Sequence, residues 1–222
     1  MARRPRPRII DLTRPIVHEM PNFPGEPRPG FLRFGGLGDL GFRCHQVVMP
    51  THFGTHADAY NHFLAAGLPI DRMQPRQYVG PALLLDLRRR SDPKQITRAD
   101  LLRAWPRGDR ARRVVLNTGW ATRAKGARYF KGFPGLTRDA ATWLVGRSVL
   151  MLGLDLPSVH PADYTRVHQI LFRGGVAVVE GLVGLNRVAT RWFFFVGLPL
   201  PLRGLDGSPV RALAIVGSPD DL

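Results

Sequence analysis

Short runs rich in Val, Leu, Ile and Phe recur along the chain, each closed by Gly, Pro or Asp, and this punctuation favours a sheet-dominated fold. The runs predict strands over Ile9 to Leu12, Cys44 to Pro50, Val79 to Leu87, Arg113 to Thr118, Val149 to Leu154, Val176 to Val179, Trp192 to Gly197 and Arg211 to Val216. Helical spacing occurs in three places: Arg98 to Trp105 behind Thr97, Arg138 to Val145 behind Thr137, and Ala162 to Phe172 before Gly174 and Gly175. Each threonine can accept a hydrogen bond from the otherwise unpaired amides of the first helical turn. Asp206-Gly207, between two apolar runs, predicts a hairpin turn. The expected fold class is therefore α/β, a β-rich mixed sheet with flanking helices.

No internal repeat or linker divides the 222 residues, so one domain is expected over residues 9–222, preceded by a basic tail over residues 1–8. The longest uncharged apolar run, Trp192 to Leu202, is too short for a membrane span and is broken by prolines. Cys44 is the sole cysteine, which rules out an intramolecular disulfide and zinc sites built on several thiolates. No signal-peptide pattern opens the chain, and a cytoplasmic location is expected. The formal net charge of +15 raises a nucleic-acid partner, but the arginines are scattered and do not interleave with aromatics, so a solvated surface is the preferred reading.

Three of the seven histidines, His52, His56 and His62, crowd into one short stretch together with Asp58. In extended chain their even numbering puts all four side chains on one face. A straight strand, however, advances about 3.3 Å per residue, leaving His52 and Asp58 roughly 20 Å apart, too far to share an ion. The chain must bend, and Gly54 is the residue able to bend it. Imidazole and carboxylate suit Zn²⁺ or Mn²⁺, and an open coordination position would acidify a bound water. His62, just past the group, is read as the general base and acid. Separate histidines, each satisfied by hydrogen bonds, are the alternative, but four such groups in one strand-like segment would be awkward to bury unpaired.

The stretch His52-Phe53-Gly54-Thr55-His56-Ala57-Asp58-Ala59-Tyr60-Asn61-His62-Phe63 resembles the signature of the cyclase family that includes bacterial kynurenine formamidase, His-x-Gly-Thr-His-x-Asp-x-Pro-x-His-Phe, with Tyr60 replacing the proline. Further similarity runs through Asp11 to Ile16, Phe23-Pro24-Gly25-Glu26, Asn117-Thr118-Gly119-Trp120, Asp155 to Val159 and Asp206 to Arg211. The resemblance implies a small barrel-like sheet, a homo-oligomer (dimer or tetramer), and one or two divalent ions held by His52, His56, Asp58, His168 and Glu180, with Asp58 bridging. It also implies proton transfer by His62. Phe23 stands where kynurenine formamidases resemble Trp, and Phe23, Tyr60 and Ser158 are the expected substrate contacts.

The expected activity is hydrolysis of an amide-type C–N bond by metal-bound hydroxide, in an aryl formamide such as N-formylkynurenine or a cyclic amide such as isatin. A polyketide-type cyclase, a lactone hydrolase or a basic nucleic-acid-binding protein are the alternatives. Gly36-Leu37-Gly38-Asp39-Leu40-Gly41 matches a dinucleotide fingerprint in letters only, because strand-like sequence follows it where a helix is required; a loop between strands is expected instead.

Overall fold

A computed structural model describes residues 7–217. Its strands are β1 (Arg8–Asp11), β2 (Gly30–Gly35), β3 (Cys44–Val48), β4 (His56–Asp58), β5 (Val79–Asp86), β6 (Gln95–Ile96) and β7 (Arg113–Asn117). They continue with β8 (Gly135–Leu136), β9 (Met151–Leu154), β10 (Ala177–Glu180), β11 (Trp192–Val196), β12 (Gly207–Pro209) and β13 (Leu213–Val216). The helices are α1 (Leu37–Leu40), α2 (Arg98–Ala104), α3 (Trp120–Arg123), α4 (Arg138–Gly146) and α5 (Tyr164–Arg173).

Nine strands form one curled, open, mixed sheet in the order β1-β13-β11-β5-β7-β9-β10-β4-β12. Its centre, β5-β7-β9-β10, is parallel, and the strands outside it pair antiparallel. The parallel strands alternate between two apolar cores because successive side chains point to opposite faces. Val114, Leu116, Leu152, Leu154 and Val178 join the helices in one core, while Val115, Met151, Ala177 and Val179 fill the other. Full burial of a side chain such as Leu116 contributes about 1.5–3 kcal/mol.

Both threonine caps form: Thr97 makes a reciprocal capping box with Asp100, and Thr137 accepts from the Ala140 amide. No helix among the described residues is long and apolar enough to cross a membrane. Residues 1–6 of the expected basic tail lie outside the described residues, and Arg8 already pairs with Val216, so the ordered sheet takes in the end of that tail.

Two local expectations change. Gly36 to Gly41 is not a plain loop but brackets the single-turn α1, with Gly41 as its left-handed cap, between β2 and β3. Asp206-Gly207 does not turn a hairpin; the chain turns at Arg203-Gly204, and Gly207–Pro209 runs on as an edge strand against β4. β4 is thereby paired along both of its edges, with β10 and with β12, which outweighs the local turn preference of Asp-Gly.

Candidate metal centre

The register of β4 and β10 builds the centre. His56 lies opposite Glu180 and Asp58 opposite Val178, so His56, Asp58 and Glu180 share the face on which Val178 packs. Helix α5 covers that face through Val167, Leu171 and Phe172, and His168, one residue after Val167 and an i, i+4 neighbour of Phe172, is buried with them. Three elements distant in sequence thus aim four donors at one point.

His52 arrives by the bend expected at Gly54, whose φ is +65°. Thr55 pins that bend: its hydroxyl donates to the Gly181 carbonyl at 2.8 Å and accepts from the Arg14 amide at 2.8 Å. The shared face therefore does not come from alternation along one strand. Only His56 and Asp58 lie on β4, while His52 precedes the bend and His62 closes a 3-10 turn over Tyr60–His62.

Asp58 is the hub. Its Oδ1 lies 2.8 Å from His52 Nδ1 and 3.3 Å from His56 Nε2, and its Oδ2 lies 3.2 Å from His168 Nε2. Glu180 closes the ring, with Oε1 3.3 Å from His168 Nε2 and Oε2 3.6 Å from His56 Nε2. Asp58, His168 and Glu180 are only 1%, 2% and 3% exposed. On the outer side, His168 Nδ1 donates to the Tyr164 carbonyl at 2.9 Å and His56 Nδ1 faces the Gly54 carbonyl at 3.4 Å. His52 Nε2 faces Asp206 Oδ2 at 3.1 Å.

These outer bonds place a hydrogen on the outward nitrogen of each ring, so in the neutral imidazole the inward nitrogen bears a lone pair. Lone pairs would then face carboxylate oxygens at close range, which is repulsive unless a cation lies between them. Protons can play that part. Burial alone would lower the pKa of His52, but hydrogen bonds to Asp206 and Asp58 overcome it and raise the value to about 10. His168 follows the same balance, burial opposed by Asp58 and Glu180, and rises to about 9. Burial would raise Asp58, yet its histidine partners hold it well below the usual carboxylate range.

A divalent ion is the other cation that fits. Among the described residues three groups of converging donor atoms lie within 4.8 Å of one another: His52, His56 and Asp58; Asp58, His168 and Glu180; and, nearer the surface, His52, His62 and Asp206. Asp58 belongs to both the first and the second of these groups. The outer hydrogen bonds are the supports that metal-binding histidines use to fix ring orientation.

The group lies at the base of a cavity of about 440 Å³ lined by Phe23, Glu26, His62, Phe63, Ser158 and Tyr164, among others. Phe23 and Ser158 line this cavity. Tyr60 does not: the 3-10 turn swings it out of line with its even-numbered neighbours, its ring packs on Phe172, and its hydroxyl donates to the Gly175 carbonyl at 2.7 Å. The substrate role expected for Tyr60 is therefore corrected to a structural one. The residue missed from sequence is Asp206, which touches both His52 and His62. Its sequence signal was the Asp-Gly pair, read as a turn.

A curled mixed sheet with converging buried histidines and carboxylates beneath an aromatic-walled cavity defines the class of metal-dependent hydrolases. The family model "Putative cyclase" matches residues 10–161. The kynurenine formamidase of Geobacillus thermodenitrificans is 33% identical over 207 residues, covering 91% of this chain and 95% of that protein. That of Bacillus thuringiensis is 30% identical, with 92% and 95% covered. The chain belongs to the cyclase family. Among solved structures, a potential metal-dependent hydrolase with cyclase activity superposes with a TM-score of 0.81 at 27% identity, covering 96% of this chain and all of that one. Isatin hydrolase A from Ralstonia solanacearum shares the fold at 24% identity, with a TM-score of 0.84 and 95% and 92% covered.

Proposed function

We propose that the protein hydrolyses an amide-type C–N bond, in an aryl formamide such as N-formylkynurenine or a cyclic amide such as isatin, with Zn²⁺ or Mn²⁺ held by His52, His56, Asp58, His168 and Glu180. The observation that carries this reading is the ring of inward nitrogens and carboxylate oxygens around Asp58, which calls for a cation at its centre. A bound divalent ion supplies Lewis acidity and lowers the pKa of water in its coordination sphere.

The chain's own residues do the rest. Phe23, Phe63 and Tyr164 present aromatic surface to a planar substrate, and Ser158 offers a hydroxyl beside it. His62 is partly exposed to the cavity; with Nδ1 on Asp206, its Nε2 can accept the proton of the attacking water. The same nitrogen returns that proton to the departing amine, so one water is consumed and one amine and one carboxylic acid are formed, the acid then releasing its proton to solvent as it ionises.

The reading extends to assembly. The β2–β3 arm exposes Leu32, Phe34, Leu37, Phe42, Val47 and Val48, with Phe34 at 74%, and none of them belongs to either core. Apolar surface of that extent supports burial against a second copy of the chain as a homo-oligomer. A cytoplasmic location belongs to the same proposal, supported by the single, unpaired Cys44.

The test is a panel of an aryl formamide, an isatin-type lactam and a lactone, assayed with the metal-loaded protein and after chelation. Metal-dependent gain of one water by either amide supports the proposal. Full turnover after complete chelation, or rearrangement of substrate without added water, would refute it.

A further inference from the structure

Asp206 is held more firmly than a loop residue needs to be. Its backbone carbonyl accepts from the Ala59 amide at 2.9 Å, and its Oδ1 accepts from the Thr51 hydroxyl at 2.8 Å. The remaining oxygen, Oδ2, lies 3.1 Å from His52 Nε2 and 3.2 Å from His62 Nδ1. The two rings it joins are stacked, with centroids 3.8 Å apart and planes at 26°. The next residue makes room for this: a Cβ at Gly207 would stand 2.7 Å from His52 Cε1 and 3.0 Å from its Nε2. Glycine at 207 is thus what lets His52 reach the carboxylate.

An ionised carboxylate only accepts hydrogen bonds, so each nitrogen facing Oδ2 must carry a hydrogen. For His52 this leaves the Nδ1 lone pair, 2.8 Å from Asp58 Oδ1, as the donor to a cation. For His62 it leaves Nε2 free of hydrogen and therefore able to take up a proton. The two histidines use opposite nitrogens, and one oxygen fixes both choices.

We infer that Asp206 is the positioning residue of the centre, one carboxylate oxygen setting the tautomer and ring orientation of the metal ligand His52 and of the proton acceptor His62 together. Metal affinity and proton transfer are then coupled through a side chain that bonds to both His52 and His62. The inference rests on the roles given to His52 and His62 above, but its test does not require the substrate to be known.

The test uses the zinc-loaded protein labelled with ¹⁵N at histidine. In the wild type, His62 is expected in the Nδ1–H tautomer and His52 with Nε2–H. Asp206→Ala should release His62 to a mixture of tautomers and weaken zinc binding by about 10–100-fold in competition with a chromophoric chelator. Asp206→Asn, which keeps the shape and one acceptor oxygen, should recover part of both effects and controls for misfolding. His62→Ala should keep wild-type zinc affinity, separating loss of the His52 support from loss of the base. With an amide substrate, Asp206→Ala at saturating zinc should lower kcat more than it raises KM. An Nε2–H tautomer at His62 in the wild type, or wild-type tautomers and zinc affinity in Asp206→Ala, would overturn the inference. Tautomers and affinity as expected without amide hydrolysis would leave it standing and count against the proposed activity alone.

Discussion

Two of the molecule's cavities differ in how their charges are arranged. Around Asp58, imidazoles and carboxylates are buried and face one another, so their arrangement demands a cation. The other cavity, about 520 Å³ at the ends of β5 and β7, is lined by Arg88, Arg89, Arg90, Arg103 and Arg191 with Asp86 and Asp100. There each acid already has its arginine, Asp86 with Arg88 and Asp100 with Arg103, and those two arginine side chains are 52% and 58% exposed. Such partly exposed ion pairs contribute little to stability. Burial with convergence, not abundance of charge, marks the chemical site, and the +15 of the chain is a poor guide to what it does.

The contrast can be broken by substitution. His56→Ala should have the largest effect, loss of bound metal measured by elemental analysis and loss of essentially all turnover; full metal content would remove His56 from the ligand set. His62→Ala should retain metal while kcat falls by about 10²–10⁴-fold. Equal metal loss in both variants would show that His62 is a ligand. Tyr60→Phe should leave kcat unchanged and cost about 0.5–1.5 kcal/mol in denaturant unfolding, because it removes only the hydroxyl shared by Gly175 and Gln77. A large loss of kcat would return Tyr60 to the pocket. Replacing Arg89 and Arg191 by Ala should do least, with turnover within about twofold and stability within about 0.5 kcal/mol per site; loss of activity would mean that the arginine-lined cavity serves the reaction.

Much of this was legible in the sequence where the signal is local. Thr97 and Thr137 cap the helices they precede, and apolar runs such as Arg113 to Thr118 became central strands, since a strand buried on both faces must be apolar throughout. The bend at Gly54 followed from reach alone. What was hidden depends on pairing between distant segments. β2, β6, β8 and β12 are short or edge strands whose partners, not their own residues, make them strands. Asp206 belongs with these: its role comes from β12 docking beside β4. Tyr60 departs from the expected face because a 3-10 turn, with three residues per turn, replaces the alternation of a strand.

The imidazoles of His52, His56 and His168 face the carboxylates of Asp58 and Glu180 closely enough that protons and a divalent ion compete for the space between them. Hydrogen bonds to the surrounding carboxylates raise the pKa of His52 to about 10 and of His168 to about 9, so protons compete with a divalent ion for these rings. Acid favours the protons, so metal affinity should fall as pH falls. The most direct test is calorimetric titration of metal-free protein with Zn²⁺ near neutral pH in buffers of different ionisation enthalpy. Release of protons on binding, with affinity rising with pH, is the predicted result. Binding without proton release, or with an affinity independent of pH, would contradict the account.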